Sequence, residues 1–175
     1  MEKTNNSQEH SLLILGAGGV ALEVFEIILQ NGSWQVAFLD DGEKNPHDLN
    51  IIGKLSTLKQ WKEQFSHAIA AVGNCSVRME WLKNAREAGF EIPSIIHPFA
   101  AISPSATIGA GCIVMSNTSV GAKAKLGDGV LVNHGAHVDH ECVIENGVLL
   151  GMGCVIRNGV RIKELQHVMP LTLME

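Results

Sequence analysis

The sequence predicts two joined architectures: an α/β unit with a small parallel sheet, followed by a parallel β-helix. Three observations predict it. Up to residue 94, short apolar runs alternate with stretches of helical spacing. From Ile96 onward, every sixth residue is aliphatic, a period that neither an α-helix nor a flat strand produces. Between the first apolar run and the first helical stretch stands a glycine-rich turn, GAGG.

Leu12–Leu15 is a short apolar run closed by Gly16, and reads as the first strand. Val20–Gln30 has apolar residues at helical spacing and stops at Asn31-Gly32. Gln35–Leu39 is the second strand, ending in Asp40-Asp41. Ser56–Phe65 is predicted helical, with Ser56 as its cap. Ala68–Val72 is the third strand, closed by Gly73-Asn74. Val77–Ala88 is a helix stopped by Gly89, and Ile92–Ile96 is a last short strand. Strand and helix in alternation imply a parallel sheet. The expected division is 1–94 and 95–175, with the join near Pro93–Pro98.

The six-residue stripe comprises Ile96, Ile102, Ile108, Val114, Val120, Leu126, Val132, Val138, Ile144, Leu150, Ile156 and Ile162. Four residues after each aliphatic comes a small or short apolar residue, such as Ala106, Cys112, Ala124, Ala136 and Cys154. This is a hexapeptide β-helix repeat. It predicts nearly four coils and fades after Ile162, where KELQHVMPLTLME puts Gln166 at a small-residue position. Two readings of that apolar tail stay open: it folds over the open end of the coils, or it is the residue of a shortened reading frame.

Composition narrows the function classes. The chain has 175 residues, 46% hydrophobic and 18% charged, as in an ordinary globular protein. A net charge of -5 without a Lys/Arg run gives no nucleic-acid or anionic-membrane surface. The polar start, MEKTNNSQEH, is not a signal peptide, and no apolar stretch is long enough to span a bilayer. The expectation is a cytoplasmic protein. Cys75, Cys112, Cys142 and Cys154 form no CxxC pair. The last three fall on the small-residue position of their hexads, so their thiols are expected to point inward as small buried groups.

The turn LLILGAGGVALEVFEII fits G-x-G-x-x-A through Gly16, Gly18 and Ala21, with Asp40 about twenty residues on. Read alone it predicts a dinucleotide site and an NAD-binding oxidoreductase. The α/β half is short for that function.

NHGAHVDHEC places His134, His137 and His140 at intervals of three, followed by Glu141. His134 and His140 occupy the same place in successive hexads, so they lie on different sides of a coil. One chain does not easily wrap both around one ion, and no metal is expected.

The C-terminal half resembles the left-handed parallel β-helix of the hexapeptide acyltransferases, whose triangular coils take three hexads each. The whole chain is similar to the sialic-acid O-acetyltransferase family, which includes bacterial N-acetyltransferases of UDP-4-amino sugars. The matching pieces are GAGG, FLDD, AVGN followed by Arg78, IIHP and NHGAHVDHEC. The resemblance implies a homotrimer with its site between adjacent β-helices, and acetyl-CoA as co-substrate. It implies a nucleotide-linked sugar or sialic acid as acceptor, through an amino or hydroxyl group. It makes His140 the general base and Glu141 its orienting partner. It puts Gly16, Gly18, Gly19, Asp40, Asp41, Gly73 and Asn74 around the nucleotide-sugar and Asn133 near the acceptor sugar. Leu149 and Gly151 would lie beside the thioester, with the Gly151 N–H as an oxyanion donor. Direct transfer in a ternary complex is expected, rather than an acyl-enzyme on Cys142.

The chain departs from the family pattern at four places. Val20 stands where the family has a histidine after the glycine-rich turn. Glu145 follows Ile144 where glycine is usual. Leu149 replaces a second histidine nine residues beyond the base. The repeat ends early. These departures motivate an alternative, an inactive or binding-only trimeric remnant of the fold.

Overall fold

The computed structural model describes residues 10–32 and 34–175; most of the polar start lies outside them. Four strands form a parallel sheet: β1 (His10–Leu15), β2 (Trp34–Leu39), β3 (Ile51–Gly53) and β4 (His67–Ala70), in the order β3-β2-β1-β4. Leu12 to Leu15 are at most 1% exposed, because β1 is paired on both edges and covered on both faces. Helix α1 (Gly19–Asn31) follows the glycine-rich turn, and α2 (Cys75–Glu87) follows the Gly73-Asn74 turn.

Three expectations for this half need correction. The run after β2 holds a third sheet strand, Ile51–Gly53, whose three residues are too few for a periodic signal. Ser56 caps no helix: the segment is a 3-10 helix over Leu55–Trp61 with Lys54 at its N-cap, and the Asp41 carboxylate accepts from the Leu55 N–H at 3.0 Å. Ile92–Ile96 is not a sheet strand. Glu91 bridges to His67, while Ile95–Ile96 pairs with Ile113–Val114 and opens the β-helix.

The second half is a left-handed parallel β-helix of two-residue strands on three faces. Face I carries Ile95–Ile96, Ile113–Val114, Leu131–Val132, Leu149–Leu150 and His167–Val168. Face II carries Ala101–Ile102, Ser119–Val120, His137–Val138, Val155–Ile156 and Leu173–Met174. Face III carries Thr107–Ile108, Lys125–Leu126, Val143–Ile144 and Arg161–Ile162. The stripe aliphatics and the small residues fill the interior: Val114, Val132, Leu150, Cys112, Cys142 and Cys154 are all 0% exposed. At each corner one residue adopts a left-handed φ, recurring every sixth position from Gly111 to Leu171.

The repeat does not fade after Ile162. Val168 and Met174 keep the six-residue register and form strands in the last coil. The tail therefore extends the coil rather than folding over it. Gln166 is tolerated because that corner of the last coil is exposed.

Face I is buried beneath the N-terminal unit. Ile95, Ile113, Leu131 and Leu149 belong to one continuous core with Leu12, Ile14, Val24, Ile69 and Leu82. A second core fills the coil interior. Helix α1 lies by the corner between faces I and II, where Glu23 meets His134, and α2 by the corner between faces III and I, where Arg86 meets Asp128. At the centre of this junction Arg78 is 0% exposed. Its Nε donates to the Gly129 carbonyl, Nη1 to Val72 and Gly73, and Nη2 to Gly147 and Val148, at 2.8–3.2 Å. One guanidinium thus ties the end of the sheet to two coils. No helix among the described residues is long and apolar enough to cross a membrane.

Candidate functional site

The carboxyl ends of β1, β2 and β4 open onto a pocket of about 270 Å³. In parallel α/β sheets this edge is where ligands bind, because the strand-to-helix turns leave helix N-termini open there. Gly16, Gly18, Gly19, Asp40 and Gly73 line it, together with Ala71, Val72 and Trp81. Gly16 has a φ of +104°, and a Cβ there would meet the Ala71 carbonyl at 3.0 Å, so the turn requires glycine. A Cβ on Gly18 or Gly19 would meet nothing within 4 Å; these positions leave space in front of α1. Gly18 caps α1 without a side-chain bond, so the first N–H groups of the helix carry no side-chain acceptor from the cap.

Not every predicted nucleotide-side residue enters this pocket. The Asp40 carboxylate is held in the turn itself: it accepts from the Ala17 N–H at 2.8 Å and from the Gly42 N–H at 2.7 Å. Asp41 lies outside the pocket and caps the 3-10 helix. Asn74 caps α2 by accepting from the Val77 N–H at 3.0 Å. Trp81 was not foreseen. It lies one turn after Arg78 on α2, and its ring comes within 3.3 Å of a Cβ built on Gly16.

The histidine-rich stretch runs along one edge of the coil. Asn133 and His134 form the corner between faces I and II, and His140 and Glu141 the corner between faces II and III. The Asn133 side-chain oxygen accepts from the His134 N–H at 2.8 Å. The His134 Nε2 approaches Glu23 of α1 at 3.3 Å, and Nδ1 meets Ser116 at 2.9 Å. His137 meets Ser119 at 2.8 Å on the outer side of face II.

His140 and Glu141 stand half exposed, with Nδ1 and the carboxylate 3.1 Å apart. An Nδ1–H donated to Glu141 leaves the Nε2 lone pair directed outward. Their corner is the one that face I does not touch. His140 therefore lies across the coil from the glycine-rich pocket of its own chain. Glu141 has a φ of 61°, at a corner position that Lys123 fills in the preceding coil and Gly159 in the following one.

The donor-side residues lie differently from expectation. Leu149 is 8% exposed and packs in the shared core, near Gly73. The Gly151 N–H donates to the Val168 carbonyl at 2.9 Å, so the coil already occupies the expected oxyanion donor. The cause is the extra coil, which the reading of a fading repeat left out. Glu145 pairs with Arg161 and accepts from the Glu164 N–H; that backbone bond and the arginine hold its carboxyl below the usual range. The Cys142 thiol points into the coil and donates to the Arg157 carbonyl at 3.0 Å, and burial pushes its pKa up, as expected of a packing group. No group of three or more His, Cys, Asp or Glu among the described residues is arranged to hold a metal ion. Among the described residues the α/β unit is a single four-stranded parallel sheet, smaller than the two-half sheet of a full dinucleotide-binding domain.

Comparisons with known proteins agree with this architecture. Residues 11–85 match the family described as PglD N-terminal domain, and residues 123–158 match the bacterial transferase hexapeptide of six repeats. The acetyltransferase domain of PglB from Neisseria gonorrhoeae FA1090, solved with acetyl coenzyme A, is 35% identical with a TM-score of 0.88. The match covers 94% of this chain and 82% of that one. A histidine-to-asparagine mutant of perosamine N-acetyltransferase from Caulobacter crescentus, solved with CoA and GDP-perosamine, is 29% identical with a TM-score of 0.84, covering 93% and 81%. Bifunctional protein GlmU of Koribacter versatilis (strain Ellin345) is 37% identical over 75 residues, 43% of this chain but only 16% of its own length. With its two family matches at either end of the fold and a relative of this identity along nearly the whole chain, the protein belongs to the hexapeptide-repeat sugar acetyltransferases, a family of acyltransferases.

Proposed function

We propose that the chain transfers an acetyl group from acetyl-CoA to the amino group of a nucleotide-linked sugar. The observation that carries the reading is the half-exposed His140–Glu141 pair, 3.1 Å apart, on a coil of this family. In the transfer, the acceptor nitrogen attacks the thioester carbonyl carbon. A C–N bond forms, the C–S bond breaks, and CoA leaves as the thiolate. His140 Nε2 takes the proton lost by the nitrogen, and Glu141 stabilises the imidazolium. The nucleotide sits in the glycine-rich pocket, its phosphates toward the start of α1. Transfer is direct, because Cys142 is buried within the coil.

The same geometry supports a homotrimer. A sugar held in the pocket cannot reach His140 of its own chain across the coil, so a neighbouring copy supplies the base. Among the described residues, the N-terminal unit packs on face I and leaves faces II and III open to that contact.

The test is release of CoA thiol from acetyl-CoA against a panel of UDP- and GDP-linked amino sugars. The wild type is expected to turn over at least one of them, and His140→Ala to be slower by roughly 10²–10⁴-fold. A folded His140→Ala protein at full rate removes the base assignment. A wild type that neither binds acetyl-CoA nor transfers favours the second reading, a binding-only trimer. The observation behind that reading is the donor side, where Leu149 is buried and the Gly151 N–H is occupied.

A further inference from the structure

Within the histidine-rich stretch, His134 has a bonding pattern that the transfer chemistry does not use. Its ring lies at the corner between faces I and II, with about a third of its side chain exposed. Nδ1 meets the hydroxyl of Ser116, which occupies the same corner one coil earlier, at 2.9 Å. Nε2 meets the Glu23 carboxylate of α1 at 3.3 Å. A neutral ring with its proton on Nε2 satisfies both bonds, accepting from Ser116 and donating to Glu23. His137 makes the equivalent contact to a serine one coil earlier but, among the described residues, carries no bond to the N-terminal unit.

The position of Glu23 gives this chain of bonds its meaning. Glu23 lies three residues after Val20, which lines the pocket, so the two share one side of α1. The His134 N–H is also bound to the Asn133 side chain, at the corner that leads through the face II strand His137–Val138 to His140 and Glu141. The serine, the histidine and the glutamate therefore link two successive coils, the later one carrying His140 and Glu141, to the helix whose first turn forms the pocket wall.

We propose that His134 is a positioning residue that fixes the first turns of α1 against the coil and so sets the geometry of the nucleotide-sugar pocket. The inference rests on the acetyl-transfer reading for its kinetic consequence but not for its structural one. His134 touches no reacting atom in this account. It acts through Glu23, and its loss lowers acceptor affinity while leaving acetyl-CoA affinity and the chemical step alone.

The experiment compares His134→Ala, Glu23→Gln and His134→Gln with the full-length wild-type protein. Hydrogen exchange is followed at the amides of residues 19–24 and, as an internal control, of residues 80–86 in α2. Both disruptive variants are expected to speed exchange in the first segment roughly tenfold and to leave the second unchanged, with partial recovery in His134→Gln, whose amide can still reach Glu23. In the transfer assay KM for the nucleotide-sugar rises roughly tenfold, with kcat and the acetyl-CoA KM retained. Unchanged exchange at residues 19–24 in both variants overturns the proposal, as does a fall in kcat with the sugar KM intact. If the wild type transfers nothing to any sugar tested, the acetyl-transfer reading falls, and the exchange data alone decide whether His134 holds α1.

Discussion

Arg78 is buried with no carboxylate partner among the described residues, and its guanidinium is held by backbone carbonyls. Its five donors meet five carbonyls, so no polar hydrogen is left unmatched. Burial lowers its pKa from the ordinary arginine value, with the nearby Cys75 acting the other way. Arg78→Met is expected to cost about 3–5 kcal/mol in urea unfolding, because it strands those carbonyls and separates the sheet from the coil. Lysine should not rescue, since three donors cannot serve five acceptors. Glu141 presents the opposite balance. A non-glycine residue in a left-handed conformation costs about 1 kcal/mol. Glu141→Gly is therefore expected to raise the melting temperature slightly while slowing transfer, as the imidazole loses its orienting carboxylate. A variant that loses stability shows that the carboxylate, not the corner, dominates there.

Among the elements, the coil was the most legible from sequence, because each hexad repeats one geometric demand. Each strand must put an aliphatic inside and each corner must leave room for a small side chain, and those demands appear directly as a period. The last coil is hard to read because Gln166 breaks the small-residue pattern at a single corner, while Val168 and Met174 keep the register. Ile51–Gly53 was missed because a three-residue strand is specified by its neighbour β2 rather than by its own pattern. The inward cysteines were read correctly, and their burial has a consequence for pH. Burial raises the thiols of Cys112 and Cys154 to about 11. The unfolded chain ionises them from about pH 9, so the stability they confer is complete below that pH and declines as pH rises toward about 11. Unfolding free energies from urea titrations are expected to fall between about pH 9 and pH 10.5, by at most about 1.4 kcal/mol per thiol per pH unit. Cys112→Ala and Cys154→Ala should each flatten that slope.

At the scale of the whole molecule, the site was only partly legible. The residue types were read from their motifs, and five of the predicted pocket residues do meet around one cavity. The resemblance implied a site between adjacent β-helices, but residue spacing alone does not reveal that His140 and the pocket lie on opposite sides of the coil, because the turn of the triangle separates neighbours in sequence. A site shared between copies makes a quantitative prediction. His140→Ala and Gly18→Asp should each be inactive alone, the second because it puts a carboxylate in the open space before α1. Co-refolded in equal amounts they should recover about a quarter of wild-type activity, the chance that an intact pocket meets an intact base. No recovery in trimers shown to be mixed would mean that each chain completes its own site.

The core beneath face I also bears on how the protein is made. The apolar surface of the N-terminal unit is covered by Ile95, Ile113, Leu131 and Leu149, which leave the ribosome long after β1 to β4 have been synthesised. Until the third coil is out, that surface has nothing of its own chain to lie against, and Arg78 has no carbonyls of the coil to bind. The nascent chain is thus sticky for a long interval and becomes safe late, in one step. Its dependence on chaperones should therefore be set by the speed of translation between residues 95 and 149, rather than by the stability of the finished fold.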